Sequence, residues 1–410
     1  MKQAAENTND VSLAFLLVAL TFSHSMAAMA MMVLPAVAPL VAREYGVESS
    51  LVGYQISIVS CGLLISLLSV GNLSRKLGAC RTNQIGHSFV AIGVLLMLMP
   101  SIYFLLPGSL VIGIGFGLLA PSASALLIRF APPARRNVLF SIHQTSIPLG
   151  GMVAALGAPV VAINFGWRFA FACAFILVVC AVALMQVGRK GWDDDRDAST
   201  RALATHPFAG FLSNWRNPQL RRLSLAGFSF CWAQFCASAF TVVACVQALD
   251  MSLIAAGTVL LVVQVSNASG RVVAGWIADR MGGAAAVLAW MGWAMLFVSI
   301  GFFWLSPEWP LPLTYLMFAA LGITSGAWAG ILLAEVGQLA PAGHVGPVVG
   351  GALVYINLGK LAGPAVFAAT YALTHSYGIA YALIAAPALM AVICLRQDKN
   401  MADAPPLSAQ

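Results

Sequence analysis

The sequence contains little charge and few long polar stretches. Of its 410 residues 60% are hydrophobic and only 9% are charged, and the mean hydropathy is +0.89. Apolar runs repeatedly exceed the ~20 residues that cross a bilayer as a helix. This composition excludes an ordinary soluble domain. The net charge of +7 comes from basic residues in short segments between apolar runs, so no basic domain for nucleic acid is expected.

Motifs of enzymes and metal sites are also missing. The eight cysteines lie mostly inside apolar runs and form no CxxC pair, so neither a disulfide framework nor a metal site is predicted. The sequence has no HExxH motif, no paired carboxylates and no nucleophile motif. No extra soluble domain for sensing is expected. These absences argue against a membrane-embedded enzyme or a sensor, and no cofactor is expected.

What is present is a series of apolar segments separated by polar breaks. They predict an all-α integral membrane protein with twelve transmembrane helices in two six-helix bundles. The first run continues to Ala42, far beyond a signal peptide, so we interpret it as a retained helix. The predicted spans are 11–42, 51–69, 83–104, 108–128, 139–163 and 167–187 in the first half, and 220–249, 253–277, 284–305, 311–336, 346–374 and 378–395 in the second.

One long polar stretch divides the chain. The expected organisation is an N-terminal bundle at 1–187, a cytoplasmic linker at 188–218, a C-terminal bundle at 219–396 and a cytoplasmic tail at 397–410. With both termini in the cytoplasm, nearly all Lys and Arg between helices lie inside, and only Arg43 and Arg168 lie outside. This asymmetry predicts a multi-pass inner-membrane protein. The lipid bilayer is its expected partner, and we expect a monomer.

The two halves repeat a short basic loop. GNLSRKLG follows the second predicted helix and GWIADRMG follows the eighth. The second copy resembles the loop motif of the major facilitator superfamily at Gly275, Asp279, Arg280 and Gly282, and the resemblance covers nearly the whole chain. The first copy departs from it, with Arg75 where the family usually has Asp. The resemblance implies two bundles rocking about a central site, with the loop helping to hold one conformation. Alternatively, the loop serves only orientation and chain reversal.

Two cations lie inside predicted helices, namely Arg271 in the eighth and Lys360 in the eleventh. A charge at mid-membrane costs at least ~2.5–3.5 kcal/mol, so each requires a polar partner, a water-filled cavity or a ligand. Among acidic residues only Glu335 falls within a helix, near its inner end. Buried Arg and Lys are the usual partners of carboxylates, so the sequence predicts an anionic substrate.

An Arg and a Lys in these two helices resemble the oxalate–formate antiporter and monocarboxylate transporter branches of the superfamily. The resemblance implies that Arg271 and Lys360 bind the carboxylate groups of the substrate. In the alternative interpretation Arg271 bonds to backbone carbonyls of a kinked helix and Lys360 is neutral.

Two histidines are further candidates. His143 lies in FSIHQTSIPLGG, which resembles the cyanate permease branch, where Lys commonly stands at this position. Because histidine titrates near neutral pH, His143 would bind substrate, carry a coupled proton or pack against a backbone carbonyl. His24 lies near the middle of the first helix, where either a functional or a packing role fits. The remaining candidates are polar or aromatic side chains within helices, namely Gln144, Gln264, Asn267, Asn357, Tyr355, Gln234 and Trp328.

Together these features predict a secondary active transporter that moves a small organic anion, a mono- or dicarboxylate. The anion would bridge Arg271 and Lys360 between the halves, with His24 or His143 completing the pocket. Exchange of anions needs no proton carrier, whereas proton symport requires a histidine or Glu335. The alternative is a proton-driven exporter of amphiphilic drugs. Against that alternative, a cationic-drug exporter would normally need an acidic residue at mid-membrane.

Overall fold

A computed structural model describes residues 2–67, 70–132, 135–194, 196–197, 199, 209–281, 284–340 and 345–396. Within these residues all regular secondary structure is helical, and eleven helical segments are long and apolar enough to cross a membrane. The predicted third span corresponds to a twelfth helix, Ala79–Met97, whose first half carries several polar side chains. The predicted tail at 397–410 lies outside the described residues. The protein is therefore an all-α membrane protein.

The chain divides into two compact units. Unit 1 contains Met1–Ser49 and Ile58–Thr205, and unit 2 contains Ser50–Ser57 and His206–Gln410.

The N-terminal half supplies six spans, in one of which the helix is interrupted. They are α1, α2, α4, α5, the pair α6–α7, and α8, while α3 is a short helix between the second and third spans. The bounds are α1 Lys2–Tyr45, α2 Val52–Leu67, α3 Val70–Leu77, α4 Ala79–Met97, α5 Leu105–Phe130, α6 Arg136–Gln144, α7 Ser146–Phe165 and α8 Trp167–Trp192.

The C-terminal half repeats this plan. Its six spans are α10, α11, α12, the pair α13–α14, α15, and the pair α16–α17, and they are preceded by the short helix α9. The bounds are α9 Ala209–Arg216, α10 Pro218–Ala248, α11 Leu253–Met281, α12 Ala284–Gly301, α13 Leu311–Gly326, α14 Ala329–Gln338, α15 Val345–Thr374, α16 Tyr377–Ala382 and α17 Ala385–Leu395.

The same pair of spans makes a close crossing in each half. The first and fifth spans pack together as α1 on α7 and as α10 on α15. A β-carbon at Gly150 of α7 would lie 2.2 Å from the carbonyl oxygen of Ser25, and one at Gly359 of α15 would lie 2.1 Å from that of Phe228. Small residues are used in this way wherever membrane helices approach backbone to backbone. The two halves are therefore pseudo-symmetric.

The prediction of a basic loop after the second and eighth helices is wrong in its secondary structure. Residues of the first copy form the helix α3, and the chain reverses only at Gly78, where φ is +95°. The second copy continues α11 as far as Met281. Neither copy contains proline, and both carry helix-forming residues such as Leu, Lys, Ala and Arg, so the hydrogen-bond ladder extends past the apolar stretch. Polarity marked the end of the span but not the end of the helix.

Candidate functional site

Lys360 is buried at the contact between α15 and α10. Gly359 and Gly363 permit this contact, because a β-carbon at Gly363 would lie 3.0 Å from the backbone Cα of Trp232. Lys360 is only 2% exposed, and its Nζ lies 4.3 Å from the ring centroid of Phe235 on α10. A cation over an aromatic face gains ~0.5–2 kcal/mol, which offsets part of the cost of burial. The side chain therefore has a defined position inside unit 2.

Arg271 lies in the same unit on α11 and is partly exposed. Its Nε–H donates to the side-chain oxygen of Asn267, 3.0 Å away, and to the backbone carbonyl oxygen of Gly326, 3.2 Å away. Asn267 is one helical turn earlier, so the two residues share one helix face. Gly326 is the last residue of α13, where the tenth span is interrupted. The carbonyl contact matches the alternative interpretation, in which Arg271 bonds to a kinked backbone.

One side chain interacts with both cations. Cys231 on α10 lies within electrostatic range of both Lys360 and Arg271. Cys231 is 3% exposed and lies one turn before Phe235 on the same helix face. The structure thus brings two basic side chains from α11 and α15 towards one position on α10.

A second polar contact lies at the interruption between α13 and α14. The indole N–H of Trp328 donates to the side-chain oxygen of Gln234 on α10, with a nitrogen–oxygen distance of 3.0 Å. The Trp328 ring stacks on Phe230, with centroids 6.4 Å apart. Both predicted residues are buried, and the structure brings them together.

Three other predicted residues of unit 2 have different surroundings. Gln264 is buried on α11, one turn before Asn267. The side-chain amide of Asn357 donates to the carbonyl oxygen of Leu353 in its own helix, at 2.8 Å. Tyr355 stacks on Phe211 of α9, with ring centroids 4.4 Å apart, and its hydroxyl donates to a carbonyl oxygen of α9. The contact with α9 gives Tyr355 a packing function, and its predicted role in substrate binding stays a prediction.

His24 and His143 meet in unit 1. Nδ1 of His24 lies 3.3 Å from Nε2 of His143, and the two residues are 2% and 3% exposed. His143 is the penultimate residue of α6, and Gln144, which is partly exposed, ends that helix. Pro148 explains the interruption after α6, because proline has no N–H to donate to the carbonyl of residue 144. The sequence predicted both histidines as candidates but not their contact.

The residues of the proposed conformational motif lie at the end of α11. Asp279 and Arg280 are exposed, and the Arg280 guanidinium lies over the ring of Trp276, 3.8 Å from its centroid. A β-carbon at Gly275 would meet nothing within 4 Å, so packing does not require glycine at this position. Gly282 lies outside the described residues. The conformational role of this segment stays a prediction.

Sequence reasoning missed three residues of the unit 2 cluster. They are Cys231, Phe235 and Gly326. Cys231 lies three residues before Gln234 and four before Phe235, so its spacing to each places it on a shared helix face, a signal that was present in the sequence. A β-carbon at Gly326 would lie 2.2 Å from Cγ of Asn267, a close approach that only the folded chain reveals.

Comparison with known proteins identifies the family. The profile of the Major Facilitator Superfamily matches residues 20–364. A gentisate transporter of Corynebacterium glutamicum is 28% identical over 149 residues, which cover 35% of this chain and 33% of that protein. A benzoate transport protein of Acinetobacter baylyi is 25% identical over 160 residues, which cover 36% and 33% of the two chains. The chain therefore matches about a third of the length of these relatives.

Other partial matches are to proteins named for myo-inositol, glucose and peptide transport. Among solved structures, a peptide transporter in complex with sulfate is similar with a TM-score of 0.73 and 17% identity, covering 94% of each chain. This likeness concerns the fold alone. With the family profile extending over most of the chain, this protein belongs to the Major Facilitator Superfamily of membrane transporters.

Proposed function

We propose that the protein is a secondary active transporter that moves a small organic anion, a mono- or dicarboxylate, across a bacterial-type inner membrane by alternating access. The observation that carries this proposal is the burial of Lys360 and the fixed position of Arg271 in the same unit, each within electrostatic range of one residue, Cys231. Basic residues on two different helices directed at one position form a site suited to an anion. The arrangement combines the planar fork of a guanidinium with the point charge of an ammonium group.

The contacts of Arg271 serve this role as well as a structural one. Its Nε–H bonds to Asn267 and to the Gly326 carbonyl fix the plane of the guanidinium. The terminal Nη1 and Nη2 groups are the ones that bind a carboxylate end-on, through two parallel N–H···O bonds. Anchoring at Nε therefore pre-orients the group for an anion instead of competing with it.

Aromatic side chains accompany the two cations. Lys360 lies over Phe235, and Trp328 stacks on Phe230 within the same unit. Aromatic walls with a few fixed polar groups are usual in sites for small organic molecules. The gentisate and benzoate transporters that the chain resembles are named for carboxylates, which supports a carboxylate substrate.

The test is stabilisation of the purified protein in detergent by a panel of acids, with oxalate, succinate, benzoate and gentisate beside a cationic amphiphile. Binding of an acid to the folded state raises the unfolding temperature. We expect one or more of the acids to stabilise the wild type. Arg271→Gln and Lys360→Gln should each weaken binding by roughly tenfold or more, because each loses a charge-assisted bond worth ~1.5–3 kcal/mol.

The matched control is Arg43→Gln, which removes an exposed arginine near the end of α1. It should leave the stabilisation unchanged. If the cationic amphiphile alone stabilises the protein, or if both buried variants respond to acids like the wild type, the anion site is wrong and drug export becomes the leading function.

A further inference from the structure

His24 and His143 form a buried pair in unit 1, with Nδ1 of the first 3.3 Å from Nε2 of the second and ring centroids 5.1 Å apart. We propose that this pair is the proton-binding site of the transport cycle and that it takes up one proton per turnover. The inference rests on the proposed function, because it specifies the coupling ion of the anion transporter. The pair and the cationic cluster lie in different units, so each can be altered separately.

The hydrogen bond between the rings sets the number of protons. In the neutral pair one ring donates an N–H to the bare nitrogen of the other, whichever tautomers are present. The pair then holds two N–H groups, and one outer nitrogen, Nε2 of His24 or Nδ1 of His143, carries no hydrogen. One added proton binds there and leaves the bond between the rings intact. A second proton would remove the acceptor of that bond and place two charges side by side.

The charged and titratable groups of the helices around the pair are few. Along their lengths, α5, α6, α7 and α8 carry no acidic residue, and their basic residues lie near helix ends. On α1, Arg43 and Glu44 lie at the outer end, far along the helix from His24. The neighbouring histidine is His87 on α4, whose ring nitrogens lie 2.9 and 2.8 Å from the carbonyl oxygens of Asn83 and Ser23. Both partners are acceptors and a neutral imidazole carries one N–H, so neutral His87 donates to one of these carbonyls, and the variant His87→Gln tests it as the other proton site.

Packing around the pair is tight and partly polar. Phe116 of α5 meets the His24 ring edge-on, with centroids 5.1 Å apart. Among the described residues, Nδ1 of His143 and the hydroxyl of Ser146 are buried without a hydrogen-bond partner. Unsatisfied buried polar atoms are uncommon and often mark functional positions. Nδ1 of His143 is one of the two outer nitrogens that would receive the proton.

Gly150 makes the contact possible. A β-carbon there would lie 2.2 Å from the Ser25 carbonyl oxygen and 2.6 Å from the Met29 backbone nitrogen. The close approach of α7 to α1 holds the preceding helix α6, and with it His143, against His24.

The experiment uses the full-length protein in liposomes and the acid that stabilises it most. Counterflow of labelled against unlabelled anion needs anion binding but no net movement of protons. Accumulation driven by an inwardly directed proton gradient needs both anion binding and net movement of protons. We expect His24→Gln and His143→Gln to keep counterflow within about threefold of wild type and to lose accumulation at least tenfold. His375→Asn removes an exposed histidine and should leave both assays unchanged.

Other outcomes overturn the inference in distinguishable ways. Normal accumulation in both His24→Gln and His143→Gln would exclude the pair as the proton site. Loss of accumulation in His87→Gln, with normal accumulation in the other two variants, would exclude it as well. In either case intact counterflow would still support the anion transporter. Loss of counterflow in both folded variants would assign the histidines to anion binding.

Nitrogen-15 NMR of histidine-labelled wild type needs no substrate and does not depend on how the variants fold. We expect both rings of the pair to respond together, and to a single proton, as the pH is lowered. Independent titration, or no titration, would refute the proposal.

Discussion

Arg271 donates its Nε–H to the carbonyl oxygen of Gly326, 3.2 Å away, where α13 ends and the tenth span is interrupted. A helix interruption releases backbone carbonyls that have no partner further along the helix, and in a membrane they must be satisfied by other groups. The same arginine also bonds to Asn267, whose amide fits only because Gly326 has no β-carbon. One glycine therefore sets both the backbone contact and the orientation of the guanidinium.

The first prediction concerns this glycine. Gly326→Ala would place a β-carbon 2.2 Å from Cγ of Asn267, so the amide and the arginine bonded to it must move. We expect anion uptake to fall at least tenfold. Gly330→Ala in the following helix α14 is the matched control, because nothing lies within 4 Å of its β-carbon. Radiolabelled uptake by the two variants at equal expression tests the expectation, and equal uptake would contradict it.

A second prediction uses the side chain that interacts with both cations. Cys231→Asp would place a carboxylate beside Lys360 and Arg271 and would occupy the site as a tethered anion. We expect loss of acid binding, measured by thermal stabilisation in detergent. In Cys231→Asn the new side chain has almost the same size as aspartate but no charge, so this variant should retain acid binding within a few fold of the wild type. Equal behaviour of the two variants would show that charge at this position is irrelevant.

A third prediction addresses the histidine pair. Gly150→Ala forces α7 away from α1 and should separate His143 from His24, with loss of proton-driven accumulation and retention of counterflow. Gly157→Ala on the same helix meets nothing within 4 Å and should behave like wild type. If Gly150→Ala accumulates anion normally, the close crossing of these helices does not support coupling.

A fourth prediction concerns the end of α8. The Asp193 carboxylate accepts the backbone N–H groups of Cys80 and Arg81, at 2.7 and 2.9 Å, in the first turn of α4. Because Gly78 at the start of that helix offers no capping side chain, Asp193→Asn should lower stability by ~1–2 kcal/mol.

Asp194→Asn is the comparison for this fourth prediction. Its partner is Arg129 and its side chain is 61% exposed, so the loss should stay below ~1 kcal/mol. Thermal unfolding in detergent measures both variants. An equal or larger loss in Asp194→Asn would contradict the assignment of Asp193 as the cap.

Much of the fold was predictable because the bilayer imposes a simple rule on sequence. Long apolar runs must be helices there, and the order of the spans follows directly. Helix interruptions were harder to predict. The fifth, tenth and twelfth spans are each two helices in the structure, and the fifth and twelfth have a proline close to the break, Pro148 and Pro387, that sequence reasoning could have used.

The candidate site was predictable in its charges but not in its contacts. Arg271 and Lys360 stood out because buried cations are costly and therefore rare. Cys231 and Phe235 did not, because cysteine and phenylalanine are ordinary residues of apolar helices. Their importance comes from lying opposite a lysine of another helix, a distance that no local pattern encodes.

The sequence by itself determined the membrane class, the order of the spans and the presence of basic and histidine side chains within them, because hydropathy and charge act locally along the chain. Only the tertiary structure decided that His24 contacts His143 and that Lys360 and Arg271 both interact with Cys231. Those contacts depend on how closely the helices approach. Glycines at 150, 326 and 359 set that approach by leaving out a single carbon atom.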